Sequence, residues 1–330
     1  MSVALFTLGG TISMAGVRPG KDGTVIARLS GRDLAEAVPG LADLEEQLDV
    51  HDIQAVPSAS LTFMQVLEMV SAASRAVEAG ATGVVVTQGT DTLEETAFFV
   101  DLIWPHRQPF VVTGAMRNPT LASPDGPANL LAATRVAASV EARDLGVLVV
   151  VNDEIHAARW VRKQHSTSTA TFGSPNAGPI GHVIEGQVHI LARPSRLQPL
   201  PWPEPTRVMP IRVALYTVSL DDDGDLLRGV ADTHQGLVVA GFGVGHVSAS
   251  MAPRLGELAD RMPVVLTSRT GSGPVLRRTY GAIGSEVDLQ RRGLINGGLL
   301  DPYKARVLLW LVLTLGIQKA EVAQAFAAHG

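Results

Sequence analysis

Phe6-Thr7-Leu8-Gly9-Gly10-Thr11-Ile12, answered further along by Thr87-Gln88-Gly89-Thr90-Asp91-Thr92, decides how this chain is read. Each segment follows a short apolar run, Val3–Phe6 in the first case and Gly83–Val86 in the second. Both runs read as parallel strands, and the second, β-branched and continuous through Thr87, predicts a strand covered on both faces. Each segment thus sets a threonine just past the carboxyl end of a strand, the edge at which open α/β sheets bind ligands. Two hydroxyls, one carboxylate and glycine backbone at that edge suit nucleophilic attack on a small polar molecule.

Outward from these segments, strand and helix patterns alternate. Phe110–Thr113 and Val147–Val151 repeat the buried-strand signal. Phe63, Leu67, Val70 and Val77 recur at helical spacing, as do Leu93, Ala97, Val100 and Trp104. Asp91 or Thr92 can cap the second of these helices, with Glu94 and Glu95 in its first turn. The alternation predicts a doubly wound α/β domain, a parallel sheet with helices on both sides, over residues 1–193. Proline then crowds Pro194–Pro210, with Pro199, Pro201, Pro203 and Pro205 nearly alternating. Such a run resists helix and central strand alike and reads as a stiff linker, 194–210. Beyond it, Val213–Val218, Gly236–Ala240 and Val264–Ser268 read as strands, and helices lie near Pro302–Leu315 and Lys319–Ala327. Residues 211–330 therefore form a second, smaller α/β domain.

Composition narrows the function. The 330 residues are 46% hydrophobic and 18% charged, enough apolar material for two cores and too little charge for disorder. A formal net charge of -5 disfavours nucleic acid as a general partner. The chain has no cysteine, which excludes disulfides, thiolate metal sites and a cysteine nucleophile, and fits a reducing compartment. No secretory signal is visible at the N-terminus, and the apolar run Val307–Ile317 is too short to span a bilayer. These features point to a cytoplasmic protein without a membrane partner. No two of the nine histidines stand three or four residues apart, so no helical zinc pair exists. The acidic turn Asp221-Asp222-Asp223-Gly224-Asp225 lacks the terminal glutamate of a calcium loop. Neither a P-loop nor a Gly-x-Gly-x-x-Gly fingerprint nor a Gly-x-Ser-x-Gly elbow occurs.

A threonine hydroxyl is a weak nucleophile until a base takes its proton. At Thr11 the choice lies between an exposed nucleophile and a Gly-Gly turn followed by a capping threonine. Thr90 and Asp91 read either as an ordinary N-cap or as a polar cluster at a helix start, whose amides stabilise developing negative charge. Lys163, in Trp160-Val161-Arg162-Lys163-Gln164, reads either as a solvated surface charge or as a partly buried base for a threonine. Spacing alone does not bring Lys163 to Thr90.

Taken together, these segments resemble the bacterial-type L-asparaginase family over nearly the whole chain. The resemblance rests on Gly9-Gly10-Thr11-Ile12 and on Thr87-Gln88-Gly89-Thr90-Asp91-Thr92-Leu93-Glu94-Glu95-Thr96. It continues through Gly114-Ala115-Met116-Arg117 with Asp125-Gly126-Pro127, then Thr171-Phe172-Gly173-Ser174-Pro175-Asn176 and Lys304-Ala305-Arg306. It implies hydrolysis of L-asparagine to L-aspartate and ammonia through an acyl-enzyme, without a cofactor or a metal. Thr11 would be the nucleophile, and Thr90, Asp91 and Lys163 the second catalytic cluster. Asp91 would also hold the substrate ammonium, Ser58 the α-carboxylate, and the Ala115 carbonyl the side-chain amide. Glu286, in Ser285-Glu286-Val287-Asp288, would complete the site of a neighbouring subunit in a homodimer or homotetramer.

The chain departs from that family pattern in four places. The loop after the nucleophile carries a tyrosine in the family; here Lys21-Asp22-Gly23-Thr24-Val25 has none, and Thr24 is the hydroxyl nearest in kind. Ala59 stands beside Ser58 at the substrate where the family commonly has glutamine. Gly243-Val244-Gly245-His246 occupies the region of a second-domain asparagine, and Gln88 replaces a histidine found in some members. Two other readings stay open: a glutaminase-asparaginase of relaxed specificity, and a sensor that binds an amino acid without turning it over.

Overall fold

The computed structural model describes residues 2–16, 25–27, 30–42, 44, 47–203 and 211–330. They divide into two compact units, Met1–Pro199 and Leu200–Gly330. The tyrosine-free stretch 21–24 and the last part of the proline-rich segment, 204–210, lie outside the described residues. From Leu191 to Pro203 the chain has neither helix nor strand.

The first unit carries strands β1 (Ser2–Thr7), β2 (Met14–Gly16), β3 (Val25–Ala27), β4 (Gln47–Asp52), β5 (Gly83–Thr87) and β6 (Phe110–Thr113). They are followed by β7 (Val147–Val151), β8 (Glu154–Ala157), β9 (Arg162–Lys163), β10 (Phe172–Gly173), β11 (Gly181–Ile184) and β12 (Gln187–Ile190). Its helices are α1 (Gly31–Glu36), α2 (Phe63–Glu78), α3 (Leu93–Asp101) and α4 (Gly126–Ala138). Eight strands form one sheet in the order β12-β11-β8-β7-β6-β5-β1-β4. From β4 to β7 the pairings are parallel; β8, β11 and β12 add an antiparallel edge.

This order fixes where a ligand belongs. From β1 the chain first moves out to β4, then returns through α2 to pair β5 on the other side of β1. The winding direction therefore reverses between β1 and β5, and a crevice opens at their carboxyl ends. The register Thr7↔Thr87 aligns the two strand ends. Val3, Leu5, Val85, Val111 and Leu148 point into one core with Leu130 and Val136 of α4. Ala4, Phe6, Val84, Val86 and Val112 alternate with them and are equally buried on the opposite face. Burial on both faces explains why these strands read as continuous apolar runs.

Helix α2 begins at a capping box: Thr62 Oγ1 accepts from the Gln65 amide at 3.3 Å, and Gln65 Oε1 accepts from the Thr62 amide at 2.9 Å. Its apolar stripe Val66, Leu67, Val70, Ala73 and Val77 is buried. Helix α3 stops at Asp101, short of the Trp104 included in the helical spacing. Pro105 follows, and a residue before proline is pushed out of the helical region. Trp104 is nevertheless fully buried, its indole donating to the Gln108 carbonyl at 2.9 Å.

The second unit has its own parallel sheet, β13 (Val213–Thr217), β14 (Gly236–Gly241), β15 (Val264–Ser268) and β16 (Ile295–Asn296), in that order. Its helices are α5 (Val230–Thr233), α6 (Ala252–Arg261), α7 (Glu286–Arg291), α8 (Pro302–Thr314) and α9 (Lys319–His329). A separate core gathers Leu237, Val239, Leu255, Leu266 and Leu289. Asp301 caps α8, accepting from the amides of Tyr303 at 2.9 Å and Lys304 at 3.1 Å, with Pro302 in the first turn. It also pairs at 3.2 Å with the buried ammonium of Lys304. Among the described residues, no helix is long and apolar enough to cross a membrane. The molecule is thus a two-domain α/β protein with a larger, mostly parallel first sheet and a smaller parallel second one.

Candidate active site

The loops after β1 and β5 meet through backbone. Gly9 and Gly10 adopt φ of +88° and +93°, the left-handed region that favours glycine. A Cβ on Gly10 would fall 2.1 Å from the Gly89 amide nitrogen, so the two loops touch where neither has a side chain. Gly89 in turn leaves room for Ser58: a Cβ there would fall 2.6 Å from the Ser58 hydroxyl. Three segments distant in sequence, ending in Ser58, Gly10-Thr11 and Gly89-Thr90, are packed against each other at the switch point. Thr11 opens a short 3-10 turn, Thr11–Ser13, and is partly exposed.

Thr90 is buried and Asp91 exposed, at the approach to α3. The Lys163 ammonium donates to Thr90 Oγ1 at 2.9 Å and to Asp91 Oδ1 at 3.0 Å. Its side chain is only 18% exposed, so the alternative of a solvated surface lysine fails. Lys163 arrives on the two-residue strand β9, paired antiparallel with β10 through Phe172↔Lys163. Its backbone amide donates to the carboxylate of Glu94. Glu94, a first-turn acid by its position in the sequence, is buried and ties the lysine strand to the start of α3. A charged residue bracketed by apolar neighbours Leu93, Ala97 and Phe98 was the available signal.

The cap of α3 also differs from expectation. Thr92 occupies the N-cap position, yet its hydroxyl makes no cap bond and donates instead to the Ser58 carbonyl at 3.0 Å. Ser58 Oγ accepts from the Asp91 amide at 3.2 Å. Ser58 is thereby fixed to the Thr90–Thr92 loop from both its side chain and its carbonyl. Its neighbour Ala59 is exposed. Gln88 lies fully buried behind the loop; its Nε2 contacts the Gly89 carbonyl at 3.3 Å and the Thr92 hydroxyl at 3.5 Å.

Ala115 follows β6 and is buried. The glycine before it packs on this same loop: a Cβ on Gly114 would fall 2.6 Å from the Gln88 carbonyl and 3.2 Å from the Thr90 methyl. Asn129 holds the turn, donating to the Gly114 carbonyl at 2.9 Å, and Asp125 accepts from the Met116 and Arg117 amides at 3.0 and 2.8 Å. The first unit therefore packs together, at the carboxyl ends of β1, β5 and β6, the segments that carry Thr11, Ser58, Thr90, Asp91 and Ala115, with Lys163 joined to them through Thr90 and Asp91.

Glu286 belongs to the second unit, at the start of α7, and is fully buried. Its carboxylate accepts from the amides of Tyr280 at 2.7 Å and Thr279 at 2.9 Å, and pairs with His246 Nε2 at 3.0 Å. Burial works to raise its carboxyl pKa, but the amides of Tyr280, Thr279 and Glu286 itself, with His246, outweigh it and hold the group below the usual range. His246, which stands in the region of the family's asparagine, thus serves as a partner of Glu286.

Comparison with known proteins agrees with this architecture. The family model "Asparaginase, N-terminal" matches residues 2–196, and "Glutaminase/Asparaginase C-terminal domain" matches residues 212–326. A probable L-asparaginase of Deinococcus radiodurans is 35% identical over 328 residues, covering 98% of this chain and 96% of that protein. A probable periplasmic L-asparaginase of Haemophilus influenzae is 34% identical over 320 residues, 95% of this chain and 88% of the relative. Among solved structures, a probable cytoplasmic L-asparaginase from Campylobacter jejuni superposes with a TM-score of 0.87 at 31% identity, covering 99% of both chains. Both domains match in order and the relatives align from end to end: the chain belongs to the bacterial-type L-asparaginase family.

Proposed function

We propose that the protein hydrolyses L-asparagine to L-aspartate and ammonia, with Thr11 as the nucleophile. Thr11 Oγ attacks the carboxamide carbon, the C–O bond forming as the hydroxyl proton passes to the amide nitrogen; the tetrahedral oxyanion then collapses, breaks the C–N bond and expels ammonia. Water then cleaves the acyl ester and restores the hydroxyl. The observation that supports this most is the Lys163–Thr90 hydrogen bond of 2.9 Å, set on a loop in backbone contact with the one that carries Thr11. Because the ammonium donates to Thr90 Oγ1, the threonine's own proton is directed elsewhere, toward a reacting group or water. Asp91, 68% exposed at its side chain, suits the substrate ammonium, and Ser58 the α-carboxylate. Ala59 offers only backbone and a methyl beside it, and Ala115 a backbone carbonyl for the amide. The Glu286 carboxylate is buried within its own chain and does not reach outward, so any part it plays in a neighbouring subunit's site runs through His246, the partly exposed ring it holds. The assembly is a homodimer or homotetramer, with a small amide as substrate. The cytoplasm is the proposed compartment, in line with the Campylobacter relative and against the Haemophilus one; cell fractionation decides between them.

Ammonia release from asparagine tests the reading directly. Thr11→Val and Thr90→Val should each lower kcat/KM by roughly 10³-fold or more, with the circular dichroism spectrum unchanged. A purified protein that binds asparagine yet releases no ammonia from it or from related amides would be a sensor instead. Glutamine is the rival substrate, favoured by the description of the C-terminal family. One methylene changes binding by only about 1–3 kcal/mol, so kcat/KM for the two amides must be compared side by side.

A further inference from the structure

At the opposite end of the first sheet from the crevice lies a cavity of about 280 Å³. Leu145 and Val147, at the amino-terminal end of β7, form part of its floor. Asp101, Arg159, Trp160, Ser195 and Arg196 supply the rest of its chemistry. Nothing in the proposed reaction uses it.

Its walls carry two guanidinium groups against one carboxylate. Asp101 Oδ1 already accepts from the Val147 amide at 2.9 Å, on a side chain that terminates α3. Arg196 is locked in place, donating to the carbonyls of His106 at 2.8 Å and Trp104 at 2.5 Å. Arg159 lies over the Trp160 ring, 4.9 Å from its centroid. Burial holds the Arg159 guanidinium below its usual range, with Asp101 offsetting part of that effect. Positive charge thus exceeds negative in a partly enclosed space, where Coulomb attraction is stronger than in water. Guanidinium forks match planar carboxylates, and the aromatic ring and aliphatic floor match a short hydrocarbon chain better than a bare inorganic ion.

We propose that this cavity binds a small organic carboxylate, at a site separate from the catalytic crevice. The proposal does not rest on the reaction assigned above. Its position is consequential, because Arg159 and Trp160 share a short segment with Lys163, and Asp101 ends the helix whose first turn holds Glu94.

Succinate is the probe, titrated into the full-length protein by calorimetry and by tryptophan fluorescence. Binding should weaken at least tenfold in Arg159→Gln, and likewise in Ser195→Trp, which plugs the mouth from an exposed position and leaves the core intact. It should survive Ser58→Ala, a change in the catalytic crevice, and inorganic phosphate should bind more weakly than succinate. The proposal is overturned by absence of binding up to tens of millimolar succinate, or by binding that is lost in Ser58→Ala and unchanged in the two cavity variants. Phosphate binding as tightly as succinate would overturn the carboxylate assignment. If Arg159→Gln fails to fold, Ser195→Trp decides.

Discussion

The ammonium of Lys163 has two oxygen partners and little solvent, and each partner belongs to the same two-residue step, Thr90-Asp91. Removing the charge leaves both oxygens without their donor. Lys163→Met should therefore lower kcat/KM for asparagine by about 10²–10⁴-fold at unchanged fold, read from ammonia release. Asp101 supplies a second test at this scale, one of stability. Burial pushes its carboxyl up to about 6, against the opposing pull of the Val147 amide, Arg196 and Arg159. The folded protein thus holds that proton more tightly than the unfolded chain, so stability falls as the pH rises from about 4 to about 6, by at most about 3 kcal/mol. Asp101→Asn retains an acceptor for the Val147 amide and should flatten that slope, seen as Tm measured across this pH window. Thr11, Thr90, Asp91 and Lys163 were all legible as candidates, because hydroxyls and charges after strand ends are conspicuous. Their partners were not: Glu94 was hidden as an ordinary first-turn acid, and only the fold shows that it receives the Lys163 amide.

At the scale of elements, the parallel strands declared themselves through continuous apolar runs, and α2 through its spacing. The antiparallel edge did not. Strand β11 alternates buried with more exposed residues and β12 half-buried with exposed ones, four residues each, too short for a firm period-2 signal. The tight turns of this edge, one joining β7 to β8 and one joining β11 to β12, were nevertheless written in the chain. Asn152 and Asp153 take φ of 53° and 59°, and Glu185-Gly186 take 50° and 79°, the paired positive values of tight two-residue hairpins. An Asn-Asp step between apolar runs was the overlooked cue. The β9–β10 ribbon was equally invisible, since two-residue strands carry no pattern, yet it delivers Lys163 to Thr90. Helix α2 offers a measurable element: Thr62→Ala removes the hydroxyl half of its capping box, leaving the residue-62 amide on Gln65, and should destabilise the protein by about 1 kcal/mol, read from denaturant unfolding.

On the scale of the whole molecule, two units with separate cores each contribute an acidic or hydroxyl group proposed for the site. Glu286 sits in the second unit, and its proposed role in another subunit's site requires association. Light scattering should return a mass two or four times that of the chain, and Glu286→Gln should raise KM more than it lowers kcat. A monomeric, fully active protein would remove Glu286 from the site.

The seam between Gly10 and Gly89 carries a consequence for anyone who alters this molecule. A methyl added at Gly10 would collide with the Gly89 amide at 2.1 Å, and one added at Gly89 with the Ser58 hydroxyl at 2.6 Å, so there is no clearance to trade for new chemistry. Libraries randomised at positions 10 and 89 should return glycine alone among active clones, whatever amide is selected for. Substrate choice must then be retuned from the rim, at positions such as Ala59, while the joint beneath stays closed to side chains.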